Sequence, residues 1–256
     1  MDILRRELQE IFHRQPFDTT RLSGQDVEKC RYIIKAFTDV SQGCAILTDI
    51  AVGNSYSSIG RLANKLGLHQ NTALEELTDV DEDFIYERIH PEDLVDKRML
   101  EVKFFEQVEH LPSEERLKYH ATCRIRMRDD VGNYVYVSNL TRIQSNSTDG
   151  YMRLVVCTYE LSPEQEPIHG INPHIINMET GQSVTPFLYE ERFDILTRRE
   201  KEILGLIRQG MLSKEIASTL HISIFTVNKH RQNILEKLSV DNSMEAVQTA
   251  LAMKLI

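Results

Sequence analysis

The spacing of apolar and polar residues changes twice along the chain, and each change predicts a different kind of element. Apolar residues recur at helical spacing in residues 1–14 and from about Gln25 to Val40, which predicts two amphipathic helices. Alternation with period two then dominates between 44 and 161, most clearly in ATCRIRMRD and YVYVSNLTRI, and predicts antiparallel strands with one buried face. From Leu196 the helical period returns. We therefore expect an α+β protein, with an antiparallel sheet and flanking helices followed by an all-α domain of four helices.

Three long strands are expected at Tyr119–Arg128, Tyr134–Ser145 and Tyr151–Leu161. The segments between them, DDVGN and NSTDG, contain residues that favour tight turns, so neighbouring strands should form hairpins. The run CAILTDI from Cys44 predicts the first strand of an earlier hairpin. Residues 162–190 contain four prolines and little periodicity, which predicts an interdomain linker.

The C-terminal region carries three helix start signals. Thr197 and Glu200 have the spacing of a capping box, and Ser213 and Ser223 can cap the next two helices. Gly210 offers a left-handed end to the first helix. A short helix, a tight turn and a longer helix with a polar face form the helix-turn-helix arrangement that reads a DNA major groove.

This region resembles the C-terminal DNA-binding domain of LuxR/GerE-type (NarL/FixJ-like) transcription regulators. The resemblance covers about a quarter of the chain and rests on matches in the family's order: Leu196-Thr197, Arg199-Glu200, Gly210, Lys214-Glu215-Ile216-Ala217, Leu220, Ser223, Thr226-Val227, His230, Asn233-Ile234 and Lys237-Leu238. One departure is Asn228, which stands where a basic residue is usual, although asparagine can read adenine through paired hydrogen bonds. The alternative is a small helical bundle with a solvated charged face.

The resemblance implies a DNA-binding domain over residues 191–256, with its third helix, about Ser223–Leu238, in the major groove. It places Asn228, Lys229 and Gln232 at the base edges. The residues it places near phosphates are Lys214, Ser223, Thr226, His230 and Arg231. The last helix, Ser243–Leu255, is the family's usual dimer element, and its candidate contacts are Val247, Ala250, Leu251 and Lys254, of which Val247 and Leu251 can instead belong to the core.

The order of two strands, small helices and three long antiparallel strands resembles a PAS domain over residues 44–161, with residues 1–43 as flanking helices. The matching features are AILTDI with its following turn, the IHPEDL segment at 89–94 and the hairpin at 124–136. A GAF-like sensor fold is the alternative, which the short helices and the HPED segment disfavour. Two roles stay open for this domain. It either binds a small ligand and changes dimer geometry, or it is a ligand-free dimerisation module.

Charge separates the two regions. The chain has a net charge of −9, yet residues 191–256 contain 10 Lys/Arg and 8 Asp/Glu, so they carry +2 and the remainder −11. A mildly basic C-terminal domain behind an acidic front domain fits a DNA reader attached to a sensor. The absence of a long apolar run and the charged N-terminal sequence predict a cytoplasmic protein without signal peptide or membrane span.

No sequence pattern predicts catalysis or metal binding. The four cysteines form no CxxC pair and are expected to be reduced core residues. His90 stands beside Glu92 and Asp93, but the HPED run is better explained as a helix start than as acid–base chemistry. The chain has no phosphate-binding, dinucleotide or nucleophile-elbow motif, so we expect no enzyme activity and no metal site, and the cofactor stays unknown. Double-stranded DNA, a second copy of the chain and RNA polymerase are the expected partners. A protein-binding adaptor is the remaining alternative.

Overall fold

A computed structural model describes residues 3–18, 24–68, 75–78, 83–186, 196–238, 240–252 and 255–256. The chain divides into two compact units, one formed by Leu8–Pro186 and one by Met1–Glu7 together with Phe187–Ile256. Among the helices of these described ranges, none is both long and apolar enough to cross a membrane.

The first unit is built on one antiparallel sheet, which contains eight strands in the described part of the chain. The strands are β1 (Cys44–Asp49), β2 (Asn54–Ile59), β3 (Glu75–Thr78), β4 (Tyr119–Arg128), β5 (Tyr134–Asn146), β6 (Met152–Leu161), β7 (His174–Asn177) and β8 (Ser183–Val184). Their order across the sheet is β3-β2-β1-β6-β5-β4-β7-β8, and every neighbouring pair is antiparallel. The expected α+β class and the three long strands are confirmed, with ends shifted by one residue in β5 and β6.

Local turn chemistry sets the hairpin between β4 and β5. The Asp129 carboxylate accepts hydrogen bonds from the backbone amides of Val131 and Asn133, at 3.1 and 2.7 Å. Gly132 adopts φ +95°, a conformation that is open to glycine and strained for other residues. The turn predicted from the DDVGN segment therefore forms for the expected reason.

Helices lie on both faces of the sheet. The helices described before β7 are α1 (Ile3–His13), whose residues up to Glu7 are grouped with the second unit, α2 (Gly24–Ser41), α3 (Leu62–Lys65), α4 (Asp83–Tyr86), α5 (Pro91–Glu109) and α6 (Ser113–Arg116). On one face, α2 packs Val27, Cys30 and Ile34 against alternate residues of β1 and β6. On the other face, α5 packs against β4. His90 is the N-cap of α5, and its Nδ1 accepts from the Glu92 amide at 3.3 Å, so the HPED run starts a helix as predicted.

The segment expected to be a linker differs from that expectation. Strand β7 pairs along β4, and β8 pairs with β7, so residues up to 186 belong to the sheet unit. Arg124 adds a hydrogen bond to the Glu164 carboxylate at 2.8 Å, and the side chain of Gln165 accepts from the Tyr136 amide at 2.9 Å. The physical reason is that β4 would otherwise be an edge with open backbone groups. The short run HIIN covers that edge despite its proline-rich surroundings.

The second unit is helical, as predicted. Its described helices are α7 (Arg198–Arg208), α8 (Ser213–Leu220), α9 (Ile224–Leu238) and α10 (Ser243–Ala252). Their buried apolar residues include Ile203, Leu204, Ile216, Val227, Ile234, Leu238, Ala246 and Ala250. Ser213 was predicted to cap α8, but it is the first residue of that helix. The N-cap is Leu212, whose amide donates to the Glu215 carboxylate at 2.7 Å.

Candidate nucleic-acid interface

The turn between α8 and α9 is fixed by backbone geometry. His221 adopts the left-handed conformation at φ +53°, and the Ile222 amide donates to the Ala217 carbonyl at 3.0 Å. Ser223 Oγ accepts from the Thr226 amide at 3.0 Å, which satisfies one of the open amides at the start of α9. The predicted cap therefore holds the first turn of α9 in a defined position.

The three side chains predicted to face base edges share one exposed side of α9. Asn228, Lys229 and Gln232 are all exposed, whereas Val227 and Ile234 are buried on the opposite side. Positions three and four residues apart lie on the same helical face, so these three side chains form a continuous polar surface. We call this surface, residues 228, 229 and 232, the polar face of α9.

The residues predicted to lie near phosphates fall into two groups. Lys214 and Ser223 are exposed, while Thr226 and His230 are half-buried. The hydroxyls of Thr226 and Ser223 share a hydrogen bond at 2.8 Å. The His230 Nδ1 atom is buried and has no hydrogen-bond partner within the described part of the chain. Exposure alone therefore leaves Lys214 and Ser223 as the most accessible members of the set.

Arg231 has a structural role that the sequence did not predict. Its guanidinium donates to Ser213 Oγ at 3.0 Å and to Ser243 Oγ at 2.8 Å. These bonds tie α9 to the start of α8 and to the start of α10. Arginine has five N–H donors, so two bonds within the unit leave donors for another acceptor.

A buried carboxylate joins α7 to the end of α9. Glu200 Oε2 accepts from the Thr197 amide and from Lys237 Nζ, both at 2.7 Å. Burial alone raises the pKa of Glu200, but the hydrogen bonds from Lys237 and Thr197 outweigh burial and lower it. The predicted capping box between Thr197 and Glu200 is present. Its link to Lys237 had no signal in the sequence.

The candidate dimer residues of α10 divide between core and surface. Val247 and Ala250 are buried because α10 packs against α7 and α9, so neither offers a surface to a second chain. Leu251 is 38% exposed and Met244, which the sequence did not single out, is 68% exposed. Lys254 lies outside the described residues.

The interior of the sheet unit contains a buried charged pair. Lys97 is fully buried, and its Nζ donates to Glu101 Oε1 at 2.6 Å and to the Tyr86 hydroxyl at 3.3 Å. Thr141 on β5 approaches the same Glu101 oxygen at 3.5 Å. The other oxygen, Glu101 Oε2, is buried and has no hydrogen-bond partner among the residues that the structure describes. We call Lys97, Glu101 and Thr141 the polar cluster of the sheet unit.

The cysteines are buried free thiols. Burial raises the pKa of Cys123 to about 12 and that of Cys44 to about 11. Within the described ranges, no group of three or more His, Cys, Asp or Glu side chains is arranged to hold a metal ion.

Together, helices α7 to α10, the fixed turn and the polar face of α9 define a helix-turn-helix domain. Residues 194–250 match the family model described as "Bacterial regulatory proteins, luxR family" (GerE). The chain therefore carries a LuxR-type helix-turn-helix domain in this segment.

Curated relatives match part of the chain. An uncharacterised response regulatory protein, YgeK of Escherichia coli strain K12, is 52% identical over 58 residues, which are 23% of this chain and 40% of that protein. The oxygen regulatory protein NreC of Staphylococcus aureus is 40% identical over 80 residues, or 31% of this chain and 34% of that protein. The chain thus covers less than half the length of these relatives.

Solved structures overlap more of the chain at low similarity. A phage VqmA–DPO complex is 15% identical, with 89% of this chain and 88% of that chain covered and a TM-score of 0.29. A Vibrio cholerae VqmA dimer is 16% identical, with 89% and 87% covered and a TM-score of 0.29. Overlaps at these TM-scores support no inference about the sheet unit.

Proposed function

We propose that this LuxR-type regulator reads specific DNA sequences through the polar face of α9. Asn228, Lys229 and Gln232 would contact base edges, because they are exposed on the helix that follows the turn of the helix-turn-helix. The phosphate contacts would come from Lys214, Ser223, Thr226, His230 and Arg231, which set affinity rather than specificity. The observation that carries the proposal is the exposed polar face within a segment that matches the luxR family.

A comparison of selected and scrambled DNA tests this assignment. Lys229→Ala should lose roughly 1–3 kcal/mol of affinity for the selected site and relax preference at one base position. Arg231→Ala should weaken all DNA by a similar factor. Lys65→Ala, which removes an exposed lysine of the sheet unit, is the matched control and should change neither value. Equal losses on every sequence for Lys229→Ala would remove Lys229 from base reading.

We assign the domains on the same basis. Residues 1–43 would flank a PAS-like domain over 44–161, to which residues 162–186 add β7 and β8. The DNA-binding domain would span 191–256. A two-stranded hairpin, a middle segment with four described helices and the short strand β3, and three long antiparallel strands follow one another, and this order supports the PAS-like assignment. A cytoplasmic location and an interaction with RNA polymerase complete the proposal.

For the PAS-like domain, the polar cluster favours ligand sensing over a purely dimerising role. A buried oxygen without a hydrogen-bond partner lowers the free energy of unfolding by on the order of 1–3 kcal/mol, and the loss is larger when the group is charged. A small ligand with an N–H or O–H donor would remove that cost at Glu101 Oε2. The alternative is a ligand-free module that holds two copies of the chain together.

Native mass spectrometry of the freshly purified full chain distinguishes the two roles. A dimer with a reproducible added mass, lost in Glu101→Ala, supports ligand sensing at the polar cluster. A dimer without added mass supports the dimerisation module. A monomer would mean that dimers form on paired DNA half-sites, which are needed because one helix-turn-helix buries little DNA surface.

A further inference from the structure

Phe225 is the most exposed large apolar side chain of α9. It is 79% exposed in the first turn of the helix, whereas Val227, two residues later, is fully buried. Burying a phenylalanine side chain contributes free energy that an exposed ring forgoes, so folding of this unit does not account for its position. A single exposed apolar residue is ordinary on a protein surface, so its location has to decide its meaning.

The location is the N-terminal end of the polar face of α9. Phe225 precedes Asn228 by three residues, Lys229 by four and Gln232 by seven, and this spacing places all four on one side of an α-helix. With a rise of about 1.5 Å per residue, Phe225 lies about 5 Å further along the axis than Asn228 and Lys229. This distance is comparable to the spacing of one or two base pairs, about 3.4 Å each.

The first turn of α9 is also held in place. The Ser223 hydroxyl accepts from the Thr226 amide at 3.0 Å and shares a hydrogen bond with the Thr226 hydroxyl at 2.8 Å. Phe225 lies between Ser223 and Thr226 in the sequence, so these bonds fix the backbone from which its ring projects. A ring on a fixed helical turn loses little conformational freedom when it contacts a partner.

The chemistry of the major groove then selects one partner for a phenyl ring. Base edges there present hydrogen-bond donors and acceptors, and the one apolar group is the C5-methyl of thymine. A phenyl ring packed against a donor or acceptor of a base would displace the water bound to that group without replacing the hydrogen bond. We propose that Phe225 contacts a thymine methyl and determines specificity at a base pair next to those read by the polar face of α9. This inference rests on the proposed DNA-reading function.

Replacing thymine with uracil tests the contact, because it removes the methyl group and preserves base pairing. The site is first selected from a random duplex pool with the full-length protein, and each thymine of that site is then replaced in turn by uracil. One replacement should weaken binding about fourfold, the factor that corresponds to one buried methyl-sized group. Phe225→Ala should weaken binding to the thymine site and remove the difference between thymine and uracil there.

Two controls separate this contact from a general effect. Ile224→Ala truncates the neighbouring apolar residue, which is 46% exposed against 79% for Phe225, and should keep the fourfold difference. Unchanged thermal unfolding of Phe225→Ala would show that the variant folds, as the exposure of the ring predicts.

The outcomes separate this inference from the function on which it rests. If no sequence is enriched from the pool, the proposed function fails and this inference fails with it. If a site is enriched but no uracil replacement matters, or Phe225→Ala keeps the uracil effect, only the assignment of Phe225 is overturned. Unchanged DNA affinity of Phe225→Ala on the thymine site also overturns it.

Discussion

Removing the carboxylate of Glu200, which lies on α7 and not on the polar face of α9, should lower the stability of the helix-turn-helix domain. Glu200 is 2% exposed, and its Oε2 accepts from both the Thr197 amide and Lys237 Nζ. Glu200→Ala removes the capping interaction, worth about 1 kcal/mol. It also removes a hydrogen bond between charged groups, which we reduce to about 1–2 kcal/mol because Lys237 is partly exposed. The expected loss is about 2–3 kcal/mol for Glu200→Ala. Glu200→Gln, which keeps a capping acceptor, should lose about 1 kcal/mol.

Hydrogen exchange read by mass spectrometry on the full-length protein is the suitable assay, since two units need not unfold in one step. Peptides from α7 report the change directly. The matched control is Glu202→Ala, because Glu202 is exposed and its ion pair in the described part of the chain is with a neighbour on the same helix, Arg199, at 2.7 Å. Its loss should stay below about 0.5 kcal/mol. Equal losses for Glu200→Ala and Glu202→Ala would refute the reasoning.

The stability difference between the wild-type protein and Glu200→Gln should depend on pH in a predictable direction. Because the folded pKa of Glu200 is lowered, its stabilisation is complete above the ordinary glutamate range and is lost as pH falls through the folded pKa. The difference in α7 protection between wild type and Glu200→Gln should therefore be constant near neutral pH and shrink in acid. A difference that grows on acidification would contradict the lowered pKa.

Three further predictions concern the sheet unit. Gly43→Ala should cost about 1–3 kcal/mol by thermal unfolding, because the added Cβ would lie 2.3 Å from a main-chain oxygen of β6, while Gly24→Ala, with open space around it, should not destabilise. Cys123, whose pKa burial raises to about 12, should resist iodoacetamide in the native protein and react after unfolding in urea, as judged by peptide mass spectrometry. Asp93→Asn should cost about 1.5–3 kcal/mol in urea unfolding, because its carboxylate accepts from the Arg126 side chain and backbone amide, and a loss under about 0.5 kcal/mol would contradict that link.

Sequence patterns predicted the elements whose causes are local. The capping box at Thr197 and the turn at Asp129 depend on residues a few positions apart, so both were visible in the sequence and both form. Strands β4 and β5 show period-two alternation because the side chains of one face are more deeply buried than those of the other, and the structure confirms both strands. The match to the luxR family likewise lies in one continuous segment.

Interactions between distant residues left no comparable signal. Glu200 and Lys237 are 37 positions apart, and nothing in their surroundings marks them as partners. Lys97 and Glu101 show the opposite difficulty, since a lysine and glutamate four residues apart are typical of an exposed helix face, yet both are buried here. Strand β7 was missed because it forms by pairing with the backbone groups of β4 at the edge of the sheet. That need depends on the whole sheet and leaves no mark in the local sequence.

Arg231 shows that a residue predicted to contact DNA can also stabilise the domain through hydrogen bonds within it. The resemblance assigns it to a phosphate, and the structure gives it two serine partners that join α8, α9 and α10. A loss of affinity in Arg231→Ala would therefore combine a missing phosphate contact with a loosened helix-turn-helix. The exposed side chains of Asn228 and Lys229 have no such scaffolding role among the described contacts, so their substitution changes recognition with little change in fold. Base specificity is best measured at these positions, and the stability of the reading helix at Arg231.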